Sequence, residues 1–408
     1  MKKIKFIIFN EDYWSKGLIY SQHILPLINL YENNKEYHIE IISYTSILDL
    51  ILYNKQIKSL KKDLSNSIKI VNLPTLFLRA RVFSLKWYLF PFLIITTMPF
   101  ILWHSISDLV NKSNLNIYHL RSYPSAFLYS SVYFGKSKLI FDPRSDFIQE
   151  NIKIGLWSKK SLTNKLWAKI EKIILNKTHK SIYISSPLRS DILERNNIKL
   201  KTNKHVLFYN TVDFKNFKIS FSQKRDYSKI HFLYTGGLGN WNNIETYLFF
   251  FQNIKKYIPN ALFTIVTKTR EAKYINILHL EKFKNLIPSL NIYNNIPYNE
   301  LKFLYKECNY GLQLMDETDS RVGVKFVEYL AAGLIPIINN NVRGAAQICK
   351  EKKLGIVIKN LNDLNFEEFC NNISLIKNTN EFIAEIDNNK NLFDINQSHK
   401  KLNEIYLF

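Results

Sequence analysis

The chain has 408 residues, of which 46% are hydrophobic, 14% aromatic and 22% charged. That balance excludes a disordered or collagen-like chain, and the length exceeds what one hydrophobic core organises, so two α/β domains are expected. The net charge of +22 is uneven: residues 1–215 hold 32 Lys and Arg against 15 Asp and Glu, net +17, and the rest hold 24 against 19, net +5, which favours polyanionic partners such as nucleic acid, anionic bilayers or phosphorylated substrates.

The opening MKKIKFIIFN has the basic end of a signal peptide, but its apolar run stops at Asn10 and is followed by Glu11 and Asp12 with no small-residue cleavage site. Residues 3–9 therefore read as a buried first strand, and no export is expected. IKFIIF, HIEIIS, IKIVNL, NIYHL, KLIFD, SIYIS and HVLFY follow as strands in the first half, several of them continuous apolar runs of the kind found in parallel sheets covered on both faces. Helical patterns lie between them. The clearest is residues 161–176, whose apolar face is predicted as Leu162, Leu166, Ile170, Ile173 and Ile174.

The segment 86–104, KWYLFPFLIITTMPFILWH, holds 17 consecutive uncharged residues bounded by Trp87 and Trp103. A span needs about 20 such residues, and Pro91 and Pro99 would interrupt a straight helix. A core helix is a second reading. Lys61, Lys62, Arg79, Arg81 and Lys86 precede the segment and favour a third, an interfacial one against anionic lipid.

Residues 210–229 are polar and without periodicity, and are expected to be a linker between a domain at 1–209 and another at 230–385. The second domain repeats the grammar with IHFLYT, ALFTIVT, LNIYN, YGLQLM, LIPIIN and LGIVI. Residues 386–408 are expected to form a C-terminal helix returning to the first domain. No repeat of 20–50 residues recurs, so a solenoid is not indicated. Two such series predict doubly wound domains facing across a cleft where strand ends and helix N-termini bind ligand. Cys308, Cys349 and Cys370 have no ligand or disulfide spacing, and a reducing cytosol is the expected compartment.

Chemistry concentrates in DSRVGVKFVEYLAAGLIPIINNN, residues 319–341, a loop, a helix and a strand. Gly323 leaves room for a ligand, and a helix beginning there, at Val324, would offer N–H groups and a partial positive charge to a diphosphate. Lys325 adds a formal charge. Glu328, one turn on, is placed to accept hydrogen bonds from ribose hydroxyls. Upstream, LYTGGLGNWNN (233–243) ends a strand in Gly236 and Gly237, which let the chain turn close to phosphate.

These segments resemble the retaining GT-B glycosyltransferases of family 4, whose second domains carry E-x-F-G-x-x-x-x-E-x-x-A-x-G-x-P-V-I. Gly323 matches the motif glycine, Glu328 the second Glu, Ala331 or Ala332 the small residue, Gly333 the later glycine and Pro336 the proline. Ser320 stands at the first Glu, with Asp319 beside it and Glu317 near. The arrangement with Lys325 before EYLAAG resembles a branch common in bacterial surface-polysaccharide synthesis. LYTGGLGNWNN is similar to the family's Y-x-G-S-x-G-x-W-Y segment. Trp241 and asparagines stand where the family often has Arg and Lys, and Lys268 or Arg270 are the alternatives for that charge. Residues 293–315 resemble the family's base-contacting loop, which would use the backbone near Ile296 to Tyr298.

In the first half, FDPRSDFIQENIKIG (141–155) resembles a D-x-R-G-x-x-x-E segment of the same branch. Asp142 follows the strand KLIF, where many members place a histidine against the transferred sugar. Asp142 and Arg144 are catalytic candidates for holding a sugar hydroxyl and stabilising developing negative charge. An Asp–Arg structural pair is the alternative. His119 and Arg121, at the end of NIYHL, form a second polar pair at a strand end.

The resemblance implies a metal-free, cofactor-free front-face mechanism with a nucleotide-sugar as donor substrate. No P-loop, HExxH or GxSxG is present, and DETD at 316–319 is a poor metal-binding D-x-D. The implied acceptor is a lipid-linked glycan reached at the inner face of the cytoplasmic membrane. Two alternatives remain open: a nucleotide-sugar epimerase or hydrolase of GT-B shape, and a non-catalytic nucleotide-sugar-binding protein. No nucleic-acid-binding motif accompanies the positive charge, so nucleic acid is not expected as a partner.

Overall fold

The computed structural model describes residues 2–77, 85–110, 116–217, 229–238, 242–267, 281–376 and 380–408. Arg79, Arg81, Trp241, Lys268 and Arg270 lie outside them. The chain divides into two compact units, Met1–Tyr209 with Ile395–Phe408, and Asn210–Asp394.

The first unit is built on seven parallel strands, β1 (Lys2–Phe9), β2 (Tyr37–Ser46), β3 (Lys69–Thr75), β4 (Asn116–Arg121), β5 (Lys138–Asp142), β6 (Lys180–Tyr183) and β7 (His205–Leu207), in the order β3-β2-β1-β4-β5-β6-β7. Side chains alternate faces along a strand. In β1, Ile4, Phe6 and Ile8 therefore enter one apolar core, and Ile7 and Phe9 enter another on the opposite face. Helices cover both faces, which is why these strands read as unbroken apolar runs. The second unit has six parallel strands, β8 (His231–Thr235), β9 (Leu262–Thr267), β10 (Leu290–Asn294), β11 (Tyr310–Gln313), β12 (Ile335–Asn339) and β13 (Ile356–Ile358), ordered β10-β9-β8-β11-β12-β13. Strand order reverses between β1 and β4 in one sheet and between β8 and β11 in the other. Those are the places where an open α/β sheet leaves a crevice at its strand ends.

Three sequence expectations need correction. The helix Leu162–Lys177 buries Thr163, Trp167, Glu171, Ile174 and Leu175, whereas Leu162 and Ile173 are exposed. Its inner face is rotated by about one residue because a fully buried Glu171, held by Arg195, Tyr123 and Asn196, occupies a core position that looks polar in sequence. The expected linker also starts too early. Phe214 and Phe217 are buried, and Val212 pairs with Asp394, so 210–217 belong to the second unit. Residues 386–394 belong there as well: Phe393 is buried against Phe326, and the return to the first unit begins only at Ile395. From there helix Ser398–Tyr406 packs on helix Leu25–Asn33, with the Tyr37 hydroxyl donating to Asn403 at 2.7 Å.

Candidate functional site

In the second unit the candidate donor residues gather at the ends of β8 and β11. Gly236 has φ of +138°, a conformation that favours glycine, and its N–H donates to Val266 in the next strand at 2.9 Å. A side chain at Gly236 would begin 3.4 Å from Lys325 Nζ. That ammonium lies 4.2 Å from the centre of the Tyr234 ring and donates to Asn242 at 3.3 Å. Burial lowers Lys325 to about 7, against the opposing pull of Glu328. A cation held below its ordinary range beside a bare backbone turn regains its charge when an anion arrives.

Gly323 precedes helix Val324–Ala331, and no side chain caps the first turn. Its glycine has a different cause from the one expected. A Cβ there would come within 2.6 Å of Gln313 Nε2, so the space beside Gly323 is filled by Gln313 at the end of β11. Glu328 accepts a hydrogen bond from the Tyr305 hydroxyl at 3.0 Å. Gly237 contributes its carbonyl, which accepts from Tyr234 at 2.7 Å and Asn242 at 3.3 Å. Ser320 is buried, and the adjacent Asp319 carboxylate is bound by the Arg321 guanidinium, both partners lying in the same loop. The structure thus sets Gly236 beside Lys325, ties Gly237 to the lysine through Tyr234 and Asn242, and places Gly323 at the start of the helix that carries Val324, Lys325 and Glu328. Tyr234, Tyr305 and Asn242 are contributors that sequence reading missed. A separate cavity of about 770 Å³ is lined by Asn243, Asp316, Asn339, Asn341 and Lys359 and by none of the donor residues.

The first unit has its own polar centre at the ends of β1, β4 and β5. One oxygen of Asp142, Oδ2, faces His119 Nε2 at 3.3 Å, His23 Nδ1 at 3.7 Å and Arg144 Nη1 at 3.9 Å. Burial pushes the Asp142 carboxyl up, but Arg144, His119 and Arg121 together outweigh it and hold it below its usual range, so it is ionised. Arg121 donates to His23 Nε2 at 2.8 Å and pairs with Glu11. That contact makes Nε2 an acceptor and leaves the His23 proton on Nδ1, toward Asp142. Burial, with Arg144 and Arg121 nearby, keeps His23 neutral.

His119 has a supporting place. It is buried, its Nδ1 lies 2.6 Å from the Tyr406 hydroxyl of the returning tail, and its Nε2 holds Asp142. The sequence singled out Asp142, Arg144 and His119; His23 and Glu11, from the first β–α connection, complete the group and carried no motif.

Two doubly wound parallel sheets in tandem, each with polar groups gathered at its strand ends, define the GT-B class. Residues 215–392 match the family model "Glycosyl transferases group 1", and on that match the chain is a glycosyltransferase. Among solved structures it is similar to a glycosyltransferase from Rickettsia africae (16% identity, TM-score 0.67, covering 99% of this chain and 97% of that one). It is also similar to sucrose-phosphate synthase from Thermosynechococcus elongatus (15%, 0.67, 100% and 98%) and to Anabaena Alr3699/HepE in complex with UDP (12%, 0.64, 98% and 98%). At these identities the likeness shows the fold. No curated protein matches the chain in sequence.

Proposed function

We propose that this glycosyltransferase takes its sugar from a nucleotide-activated donor and passes it, with retention of configuration, to a lipid-linked glycan in bacterial surface-polysaccharide synthesis. The observation that carries the reading is the position of Lys325, whose ammonium lies 3.4 Å from where a side chain at Gly236 would begin, on the helix that bears Glu328. A diphosphate at the start of that helix meets the lysine, and a ribose lies one turn along at the glutamate. UDP and UDP-glucose complexes of the Anabaena neighbour support a nucleotide-sugar as the donor class. The nucleotide-sugar is consumed as a substrate, and the chemistry assigned here calls for no separate cofactor. Catalysis rests on fixed positive charge at the leaving diphosphate. The test is a thermal-shift panel of nucleotide-sugars: one of them at 100 times its dissociation constant stabilises the chain by about 2.7 kcal/mol. A panel in which none raises the melting temperature would sink the reading.

The acceptor part of the proposal places the first unit on the cytoplasmic face of the membrane. The helical stretch Trp87–Val110, which includes helix Phe90–Val110, is long and apolar enough to cross a bilayer by length and composition. One side of it, however, buries Phe90, Leu93, Thr97, Ile101, Ser105 and Asp108 in its own unit. Asp108 there accepts from Asn116 and Tyr133, each at 2.5 Å. A helix anchored along its whole length in this way favours the interfacial reading over a span. Its other side exposes Phe92, Ile95, Trp103, Ile106 and Val110, and Trp103 is 71% exposed. Apolar insertion joined to basic residues is how peripheral proteins hold anionic lipid. The expected result is flotation with anionic vesicles at low salt, partial release at high salt, and loss of flotation in Trp103→Asp. A chain that stays soluble with anionic and neutral vesicles alike returns the helix to an ordinary surface role.

A further inference from the structure

The carboxylate of Asp142 is gripped unevenly. Its Oδ2 faces His119 Nε2, His23 Nδ1 and the Arg144 guanidinium, while Oδ1, buried like the rest of the side chain, has no hydrogen-bond partner among the described residues. An imidazole can turn either nitrogen to a neighbour and carry its proton on either one, so two histidines serve one oxygen only if something fixes both rings. Packing fixes their planes: the Phe6 ring on β1 stacks on His23 at 5.2 Å between centres and makes a T-shaped contact with His119 at 4.9 Å. Arg121 fixes the proton of His23, because its Nε donates to Nε2 at 2.8 Å.

For His119 the corresponding group is Tyr406, on helix Ser398–Tyr406 of the returning tail. An Nε2 that faces a carboxylate needs the proton, since two lone pairs would repel there. A ring with one proton is then bare at Nδ1, and the Tyr406 hydroxyl 2.6 Å away is its donor. Burial, with the Asp142 charge close by, pushes the Tyr406 phenol well above its ordinary range, so the donor keeps its hydrogen. The tail has other anchors: Tyr37 donates to Asn403 at 2.7 Å, and Lys180 donates to the Ile405 carbonyl at 2.8 Å. Tyr406 is therefore spare as a clasp, and its hydroxyl is spent on the histidine.

We propose that Tyr406 is a positioning residue for Asp142: by donating to His119 Nδ1 it holds His119 Nε2–H on Asp142 Oδ2 and keeps Oδ1 as the unengaged oxygen, able to accept from a bound group. The returning helix thereby belongs to the polar centre at the ends of β1, β4 and β5. The consequence for transfer rests on the proposed function, with Asp142 as a catalytic candidate in it; the geometry of the relay does not.

The test is NMR on the full chain labelled with nitrogen-15 in its histidine rings and carbon-13 in its aspartate carboxyls, with His119→Gln and Asp142→Asn assigning the two signals. At about pH 8, above the ordinary imidazole range, the wild type should show His119 protonated at Nε2 and bare at Nδ1. Tyr406→Phe keeps the ring and removes only the donor. The Nδ1 signal should move to the position of a nitrogen without a donor. The Asp142 carboxyl, which Arg144, His119 and Arg121 hold below its usual range, should titrate roughly half a pH unit to one pH unit higher. Tyr37→Phe loosens the tail at Asn403 without touching His119, and should leave both signals in place. UDP release from each nucleotide-sugar of the thermal-shift panel is followed in parallel, and kcat should fall roughly threefold to tenfold in Tyr406→Phe with KM unchanged. A wild-type His119 protonated at Nδ1, an Asp142 carboxyl that titrates alike in wild type and Tyr406→Phe, or the same changes in Tyr37→Phe overturns the inference. The wild-type reading needs no change at Tyr406, so it tests the inference whether or not Tyr406→Phe folds. Should both signals move in Tyr406→Phe while Asp142→Asn turns over as fast as wild type, Tyr406 still positions Asp142, and the catalytic assignment of Asp142 falls instead.

Discussion

Replacing Glu328 with alanine is expected to weaken UDP binding at least tenfold while the chain remains folded. Glu328 sits on the helix whose start carries Lys325, and its Oε2 is oriented by the Tyr305 hydroxyl, which also lies 3.2 Å from the Thr235 hydroxyl. A charge-assisted hydrogen bond to a ribose contributes about 1.5–3 kcal/mol, a factor of roughly ten to a hundred and fifty in affinity. Removing the carboxylate leaves Tyr305 its second partner, so the stability cost should stay near 1 kcal/mol. Pyrophosphate separates the ribose contact from the phosphate contact. Its binding should be unaffected in Glu328→Ala, and Glu328→Gln, which retains an oxygen for Tyr305, should fall between wild type and alanine for UDP. Equal losses for UDP and pyrophosphate would mean that Glu328 acts on the helix start and not on the ribose.

The parts of this molecule that were legible in sequence are those fixed by local pattern. The thirteen strands among the described residues fall on the apolar runs read in sequence, most of them because a strand covered on both faces is such a run bounded by polar turns; β3 and β10 are recognisable by their apolar run alone, being largely open. Gly323, Lys325 and Glu328 were legible because one short helix spaces them. What sequence hid was set by distant packing. Glu171 concealed the inner face of its helix because its partner Arg195 comes from another helix. Tyr406 reaches His119 across 287 positions, so nothing near His119 shows that both its nitrogens are engaged. Glu11 read as a polar stop after β1; only the folded sheet sets it beside Arg121 and leaves one oxygen without a donor. Gly323 stood out in sequence for the room it would leave a ligand, yet the neighbour that demands a glycine there is Gln313, ten residues earlier.

Lys325→Met is expected to move ligand-free stability and nucleotide affinity in opposite directions. The buried ammonium is lowered to about 7 from 10.5. Between those values the unfolded chain binds one proton more than the folded chain, so this group's contribution makes stability rise with pH across that window and is most unfavourable below it. Methionine keeps the length and contact with Tyr234 without the charge. The ligand-free melting temperature at pH 7 should therefore rise relative to wild type. A diphosphate needs the charged form, and its loss should weaken both UDP and pyrophosphate by about tenfold to a hundredfold. In the wild type, binding takes up a proton above pH 7. UDP affinity should fall from pH 7 to pH 9 by up to roughly fiftyfold, since the phosphates, with a last pKa near 6, are already ionised there and contribute no slope of their own. Lys325→Met should be flat over the same range. Calorimetry in buffers of different ionisation heat reads the proton directly. A wild type whose UDP affinity is independent of pH between 7 and 9, with no proton taken up, would place the diphosphate away from Lys325.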